Sequence, residues 1–240
     1  MTEELKLSIE RLYDKFSIYP LKSTFDGCPC CVSKTEKLKL HTKALHLLDA
    51  EDLEHYTARA MLTWGDEDDF KHFLPRIFEL LASNTLFTDT FIVLGKLNSA
   101  KWLEWKTDEI EVIKTFLQTW WIDLTKNKIE FDREAFIEIS RLLGGVQPLL
   151  DLWTISFDDS SFRNLIDFIY YDLQTLNTEK RIFTYKNIDA LTINRINSWL
   201  INQTEMVEHG FFRFEKTDKI FSERISICYD ILKGLKLETE

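Results

Sequence analysis

The chain has 240 residues, 45% hydrophobic and 13% aromatic, enough to close a substantial core as one domain or two. Thirty Lys and Arg against forty Asp and Glu give a net charge of -10, which argues against direct nucleic-acid binding and favours a basic partner. Only 7 Gly and 4 Pro exclude collagenous or low-complexity character and the turn-dense style of a β-sandwich, so long helices are expected.

Apolar residues at Leu5, Ile9, Leu12 and Phe16 recur at helical spacing behind Thr2 as N-cap, and this helix should end before Tyr19-Pro20. Asp26-Gly27 and Cys28-Pro29-Cys30-Cys31 then read as an irregular loop. Ser33 and Glu36 have the form of a capping box that opens a short helix through Leu38, Leu45 and Leu48. Asp49 caps the next pattern, with Leu53, Tyr56, Ala60, Met61 and Trp64 on one stripe and Gly65 as a left-handed stop. Asp66 or an acidic neighbour caps the Phe70, Phe73, Leu74, Ile77, Phe78 and Leu81 pattern, in which Pro75 is expected to end one helix and begin another.

Phe87 to Leu97 has no clean period, and its context favours helix. Thr107 opens a long pattern through Ile110, Ile113, Leu117, Trp120, Trp121 and Leu124, and Asp132 opens a shorter one that ends at Gly144-Gly145. Pro148, then Asp158 or Asp159, start the next helices, and further patterns run from Ile188 to Glu208 and from Thr217 to Leu232. The expected fold is all-α, a single domain over 1–240 with a sub-boundary near 144–147. It is either an irregular bundle or a stack of antiparallel helix hairpins, HEAT-like but without a fixed repeat.

The opening MTEELKLSIERLYDKF is charged throughout and has no apolar signal core, and no stretch approaches the roughly 18 apolar residues of a membrane span. Three of the four cysteines are adjacent and Cys228 is remote, a poor disulfide framework, so a reducing cytoplasm is the expected compartment and no membrane partner is expected.

Three features carry chemistry. The series Cys28-x2-Cys31-x9-His41-x4-His46 approaches a two-Cys two-His site able to hold one structural zinc. Its spacer falls short of the roughly twelve residues of a DNA-reading finger. Cys30, His55 and His72 are other possible ligands, and packed free thiols are the competing reading. A thiol-disulfide role for Cys28 and Cys31 would need a thioredoxin-like sheet, which the flanking sequence does not suggest.

The second feature is the run Thr63 to Arg76, where Asp68 or Asp69 can orient His72 as a general base or share a metal with it, although caps and ion pairs are the commoner use of such residues. The third is charge. Asp49, Glu51, Asp52, Glu54, Asp66, Glu67, Asp68 and Asp69 stand between His46 and Phe70 against Arg59 alone, and with Trp121 as an aromatic anchor they form an expected partner-binding face.

The combination of Tyr19-Pro20, Gly27 to Cys31, Thr63-Trp64-Gly65-Asp66 and Asp69 to Arg76 resembles a family of uncharacterised bacterial proteins. The resemblance covers roughly the first third and implies a bacterial, cytoplasmic origin, with no activity or catalytic residue to carry over. No Gly-rich phosphate loop, nucleophile elbow, HExxH or EF-hand spacing occurs. Two functions are therefore expected: a protein-binding module, in one form an immunity-type protein that neutralises a basic toxin domain, or a zinc-dependent enzyme or zinc-stabilised protein built on the cysteine cluster.

Overall fold

The computed structural model describes residues 1–23, 27, 28, 30–176 and 188–235, so the expectations that fall on Asp26 and Pro29 lie outside the described residues. Among those described the chain is all-α, with isolated β-bridges from Trp64 to Gly27 and to Ala60. It divides into two compact units, Met1–Trp120 and Trp121–Glu240. No helix among the described residues is long and apolar enough to cross a membrane.

The first unit contains α1 (Glu3–Phe16), α2 (Lys34–Lys39), α3 (Ala50–Arg59), α4 (Glu67–Ala82), α5 (Thr90–Ser99) and the start of α6 (Thr107–Asn127), with 3-10 turns at Leu45–Leu47 and Trp102–Glu104. Helix α4 is its axis and packs against α1 and α3. Its buried stripe of Phe70, Phe73, Leu74, Ile77, Phe78 and Leu81 is the one read from the sequence. Pro75, expected to end a helix, lies inside α4 instead. A proline removes one hydrogen bond, and the apolar stripe that continues on both sides of it is buried over four turns, which outweighs that loss.

Two helices are shorter than their periodicity suggests. The stripe from Leu53 to Trp64 ends as α-helix at Arg59, because Met61 takes a left-handed φ of 62° and turns the chain. Trp64 still reaches the core, where its ring meets Tyr56 edge-on at 5.4 Å, and Tyr56 in turn lies 4.5 Å from Phe73. Similarly, α2 stops at Lys39, and Leu45 belongs to the following 3-10 turn.

The second unit contains α7 (Arg133–Leu142), α8 (Gln147–Leu152), α9 (Ser161–Asp167), α10 (Leu173–Leu176), α11 (Ala190–Ile201), α12 (Thr204–Phe214) and α13 (Lys219–Gly234). A π-helical turn, Phe168–Asp172, joins α9 to α10. The pattern from Ile188 to Glu208 resolves into α11 and α12, which break between Ile201 and Thr204. Gly144 and Gly145, expected near a sub-boundary, lie within this unit; their positive φ values of 79° and 145° let the chain turn from α7 into α8, which pack on each other. Trp121, Phe131, Trp153, Phe168 and Trp199 form its aromatic core, with Trp153 stacked on Trp199 at 5.2 Å and on Phe131 at 5.6 Å.

Two helical glycines have opposite surroundings. A Cβ on Gly95 of α5 meets nothing within 4 Å, whereas one on Gly210 of α12 falls 2.1 Å from the buried ring of Phe162. Urea denaturation should therefore show Gly95→Ala stabilising the protein by about 0.5–1 kcal/mol. Gly210→Ala should destabilise it by about 1–3 kcal/mol through overpacking.

A candidate thiolate metal site

The cysteine loop connects α1 to α2, and backbone contacts hold it against the turn that follows α3. The N–H of Cys28 donates to the carbonyl of Thr63 at 2.8 Å, next to the bridge between Gly27 and Trp64. The carbonyl of Cys28 accepts from both Cys31 and Val32 at 2.9 Å, folding the loop back on itself. Buried Val32 roots the loop in the core, and Ser33 with Glu36 closes the predicted capping box that starts α2. Glu36 also meets Nδ1 of His55 at 2.6 Å. The N–H of Ser33 first, then His55, holds the Glu36 carboxyl down at about 2.

This geometry gathers three sulfurs. The Sγ atoms of Cys28, Cys30 and Cys31 all lie within 4.8 Å of one another, and these three side chains could hold a metal ion. Sγ of Cys28 is 2.8 Å from that of Cys30, which is 3.5 Å from that of Cys31. Cys30 is exposed and the other two are half-buried. Hydrogen bonding with Cys30 lowers the Cys28 thiol below its ordinary pKa, and the same contact pushes Cys30 up to about 11, so Cys28 ionises before Cys30. Cys228 is separate and buried in the second unit, where desolvation raises its thiol to about 12.

The four-ligand set Cys28, Cys31, His41 and His46 does not assemble. Both histidines are exposed, and among the described residues the cluster forms with Cys30 in their place. The reason is α2, which consumes much of the spacer and carries the chain to buried Leu40 before His41 begins. His55 is bound to Glu36, and Nδ1 of His72 donates to the carbonyl of Tyr19 at 2.8 Å. Neither Asp68 nor Asp69 orients His72. Burial lowers its pKa, and its role is to tie the segment after α1 to α4.

The acidic residues are largely occupied within the fold. Asp49 with Asp52, and Asp66 with Asp69, form reciprocal capping boxes at the starts of α3 and α4. Lysines from outside the acidic segment then meet them: Lys43 lies 3.0 Å from Asp49 and 2.5 Å from Asp52, and Lys22 lies 2.6 Å from Asp66 and 3.3 Å from Asp69. Lys39 lies 3.3 Å from Asp52, and Lys71 pairs with Glu67 at 2.8 Å. Glu51 and Asp68 are exposed and Glu54 is half-buried. Trp121, expected as a partner anchor, is 1% exposed and donates from Nε1 to the carbonyl of Leu149, so it is a core residue. Helical phase places Trp120 and Trp121 on different faces, but here both faces are buried.

The sequence reading missed a buried network in the first unit. Lys71 Nζ lies 3.0 Å from Glu109, whose side chain is fully buried, and sits 4.3 Å above the Trp105 ring. Tyr19 donates to Glu109 at 2.5 Å. Burial by itself would raise the Glu109 carboxyl, but the Tyr19 and Lys71 hydrogen bonds overcome it and hold the group below its usual value. The one signal in the sequence was a lysine on the apolar side of α4.

Compared with family models, curated proteins and solved structures, the chain matches none. Tyr19 meets His72, and Cys28 meets Thr63, so these separate segments of the first third are neighbours in space.

Lys71→Met should cost about 3–5 kcal/mol in a urea melt, since it leaves the Glu109 charge buried and unpaired, and adding Glu109→Leu should restore much of that loss. Because Glu109 is depressed in the folded state, its contribution is present above the ordinary value of 4.5 and is lost as pH falls through the lower folded pKa. The stability of Glu109→Gln should accordingly vary less with pH in that acidic range.

Proposed function

We propose that this chain is a helical protein whose functional centre is a thiolate site for a soft divalent metal, zinc by preference, on the loop between α1 and α2. The observation that carries the reading is the convergence of the Cys28, Cys30 and Cys31 sulfurs within 4.8 Å on a loop fixed by the Thr63 carbonyl. Sulfurs tetrahedrally bound to zinc at about 2.3 Å lie about 3.8 Å apart. The separation of Cys30 and Cys31 is already near that, and Cys28 and Cys30 need to open by roughly 1 Å, a movement within reach of rotamer adjustment at exposed Cys30. Three protein sulfurs leave a fourth position for water, a further side chain or a partner's ligand.

A stabilising role fits this site better than turnover. The carboxylate and imidazole of the adjoining helices, Glu36 and His55, are committed to capping α2 and to each other. Bound metal would lock the loop in the folded form that rests on the turn before α4, so its free energy would add to that of folding.

A second reading, protein binding, is supported by a groove of about 320 Å³ lined by Glu36, Glu51, Asp52 and Glu54 together with Lys39 and His55. Three of these four acids belong to the expected acidic face. A basic segment from a partner, including the basic domain of a toxin in an immunity pairing, suits such a groove by charge.

Native mass spectrometry of protein prepared without chelator should find about one zinc per chain, taken up with release of protons because thiols must ionise to bind. Cys28→Ser and Cys31→Ser should each lose the metal and lower the melting temperature. A metal-free wild type that also fails to bind added zinc at micromolar concentration would overturn the reading. Charge reversal at Glu51 and Glu54 tests the second reading, since it should abolish capture of a basic partner while leaving zinc in place.

A further inference from the structure

The second unit carries a cavity of about 530 Å³, within the range of small-molecule sites, lined by three arginines, Arg133, Arg163 and Arg224. Each guanidinium is matched to a carboxylate: Arg133 to Asp172, Arg224 to Asp167 at 2.8 Å, and Arg163 to Asp218 at 3.1 Å. Counting Glu130 with Asp167 and Asp172, the lining is balanced in charge, so its sign depends on depth. The Asp172 and Asp167 side chains are 4% and 13% exposed, whereas those of Arg133, Arg163 and Arg224 are 45%, 42% and 30% exposed. Asp167 and Asp172 form the floor, and the guanidiniums lie nearer the mouth, where Glu130 is also exposed and Asp218, the acid of Arg163, is 37% exposed.

For Arg133 and Arg224 this layering is the arrangement of an oriented arginine site, in which a buried acid fixes the guanidinium, while Arg163 is held by half-exposed Asp218. Arg163 and Arg224 each use one nitrogen on their acid, out of five N–H donors per guanidinium. Their flat faces are taken by rings: Arg163 lies 4.1 Å from the Phe221 centroid and Arg224 5.3 Å from that of Tyr171. Stacking occupies the face of a guanidinium and leaves its donor edge available for an oxyanion. Apolar and aromatic surface completes the wall through Phe131, Tyr171 and exposed Ile129. Tyr171 and Asp172 are placed there by the π-helical turn, a deviation from α-helix that often marks functional sites.

We infer that this cavity binds a small planar aromatic molecule carrying a phosphoryl or carboxyl group, with the acid group held by Arg163 and Arg224 at the mouth and the ring against Tyr171 and Phe131. The inference is independent of the cysteine site.

Isothermal titration of the full chain with phenyl phosphate, benzoate, inorganic phosphate and phenol tests it. Phenyl phosphate or benzoate should bind at submillimolar concentration, at least about tenfold more tightly than phosphate or phenol, since each of the latter lacks one half of the match. Arg224→Gln should weaken binding about tenfold, the usual loss for a charge-assisted hydrogen bond. Because that variant also disturbs a partly buried ion pair, Ile129→Glu and Ile129→Lys at the exposed rim provide the second check; the acid should weaken and the base strengthen binding of the same probes. Binding of neither aromatic anion at millimolar concentration, equal affinity for phosphate and phenyl phosphate, or indifference to the charge at position 129 would each overturn the inference.

Discussion

The first unit depends on how α4 begins. Asp66 and Asp69 satisfy each other's backbone N–H groups at the start of that helix, and Lys22 closes over both carboxylates from the segment after α1. This fixes the turn that precedes α4, and the same turn supplies the Thr63 carbonyl and the Trp64 bridge on which the cysteine loop rests. Burial raises the Asp69 carboxyl, while Lys22 and the Asp69 N–H outweigh burial at Asp66 and hold it low. The position of the thiols thus follows from a helix cap.

The acidic segment shows why local composition is an unreliable guide to surface field. Four lysines, Lys22, Lys39, Lys43 and Lys71, come to its carboxylates from outside the segment or its edge, and two of the acids have side chains only 3% exposed. What lies outside these lysine pairs, exposed Glu51 and Asp68 and half-buried Glu54, is a narrower feature than eight acids in a row, and the groove beside α2 and α3 concentrates part of it. Lys71 illustrates the opposite case: a charge on an apolar helix face is kept there by Glu109 and by the Trp105 and Tyr19 rings.

Helix identity was legible in the sequence because the capping residues act locally: Thr2, Ser33, Asp49, Asp66 and Asp132 all accept the N-terminal backbone bonds that their types and spacing suggest. Helix ends were less legible. Met61 turning left-handed and Pro75 remaining inside α4 are decided by tertiary burial rather than by residue preference. At the candidate site, the cysteines were readable as a cluster, but the choice of Cys30 over His41 and His46 depends on α2 using up the spacer, which only the folded chain reveals. The arginine-lined cavity left no sequence signal, since Arg133, Arg163 and Arg224 come from three separate helices.

The central claim is that a turn held by α4 organises three thiols into one metal site. Zinc-edge X-ray absorption on the zinc-loaded protein tests this most directly. The account predicts a shell of about three sulfurs at about 2.3 Å with one lighter ligand. A shell of nitrogen and oxygen alone, or one unchanged in Cys30→Ser, would contradict it.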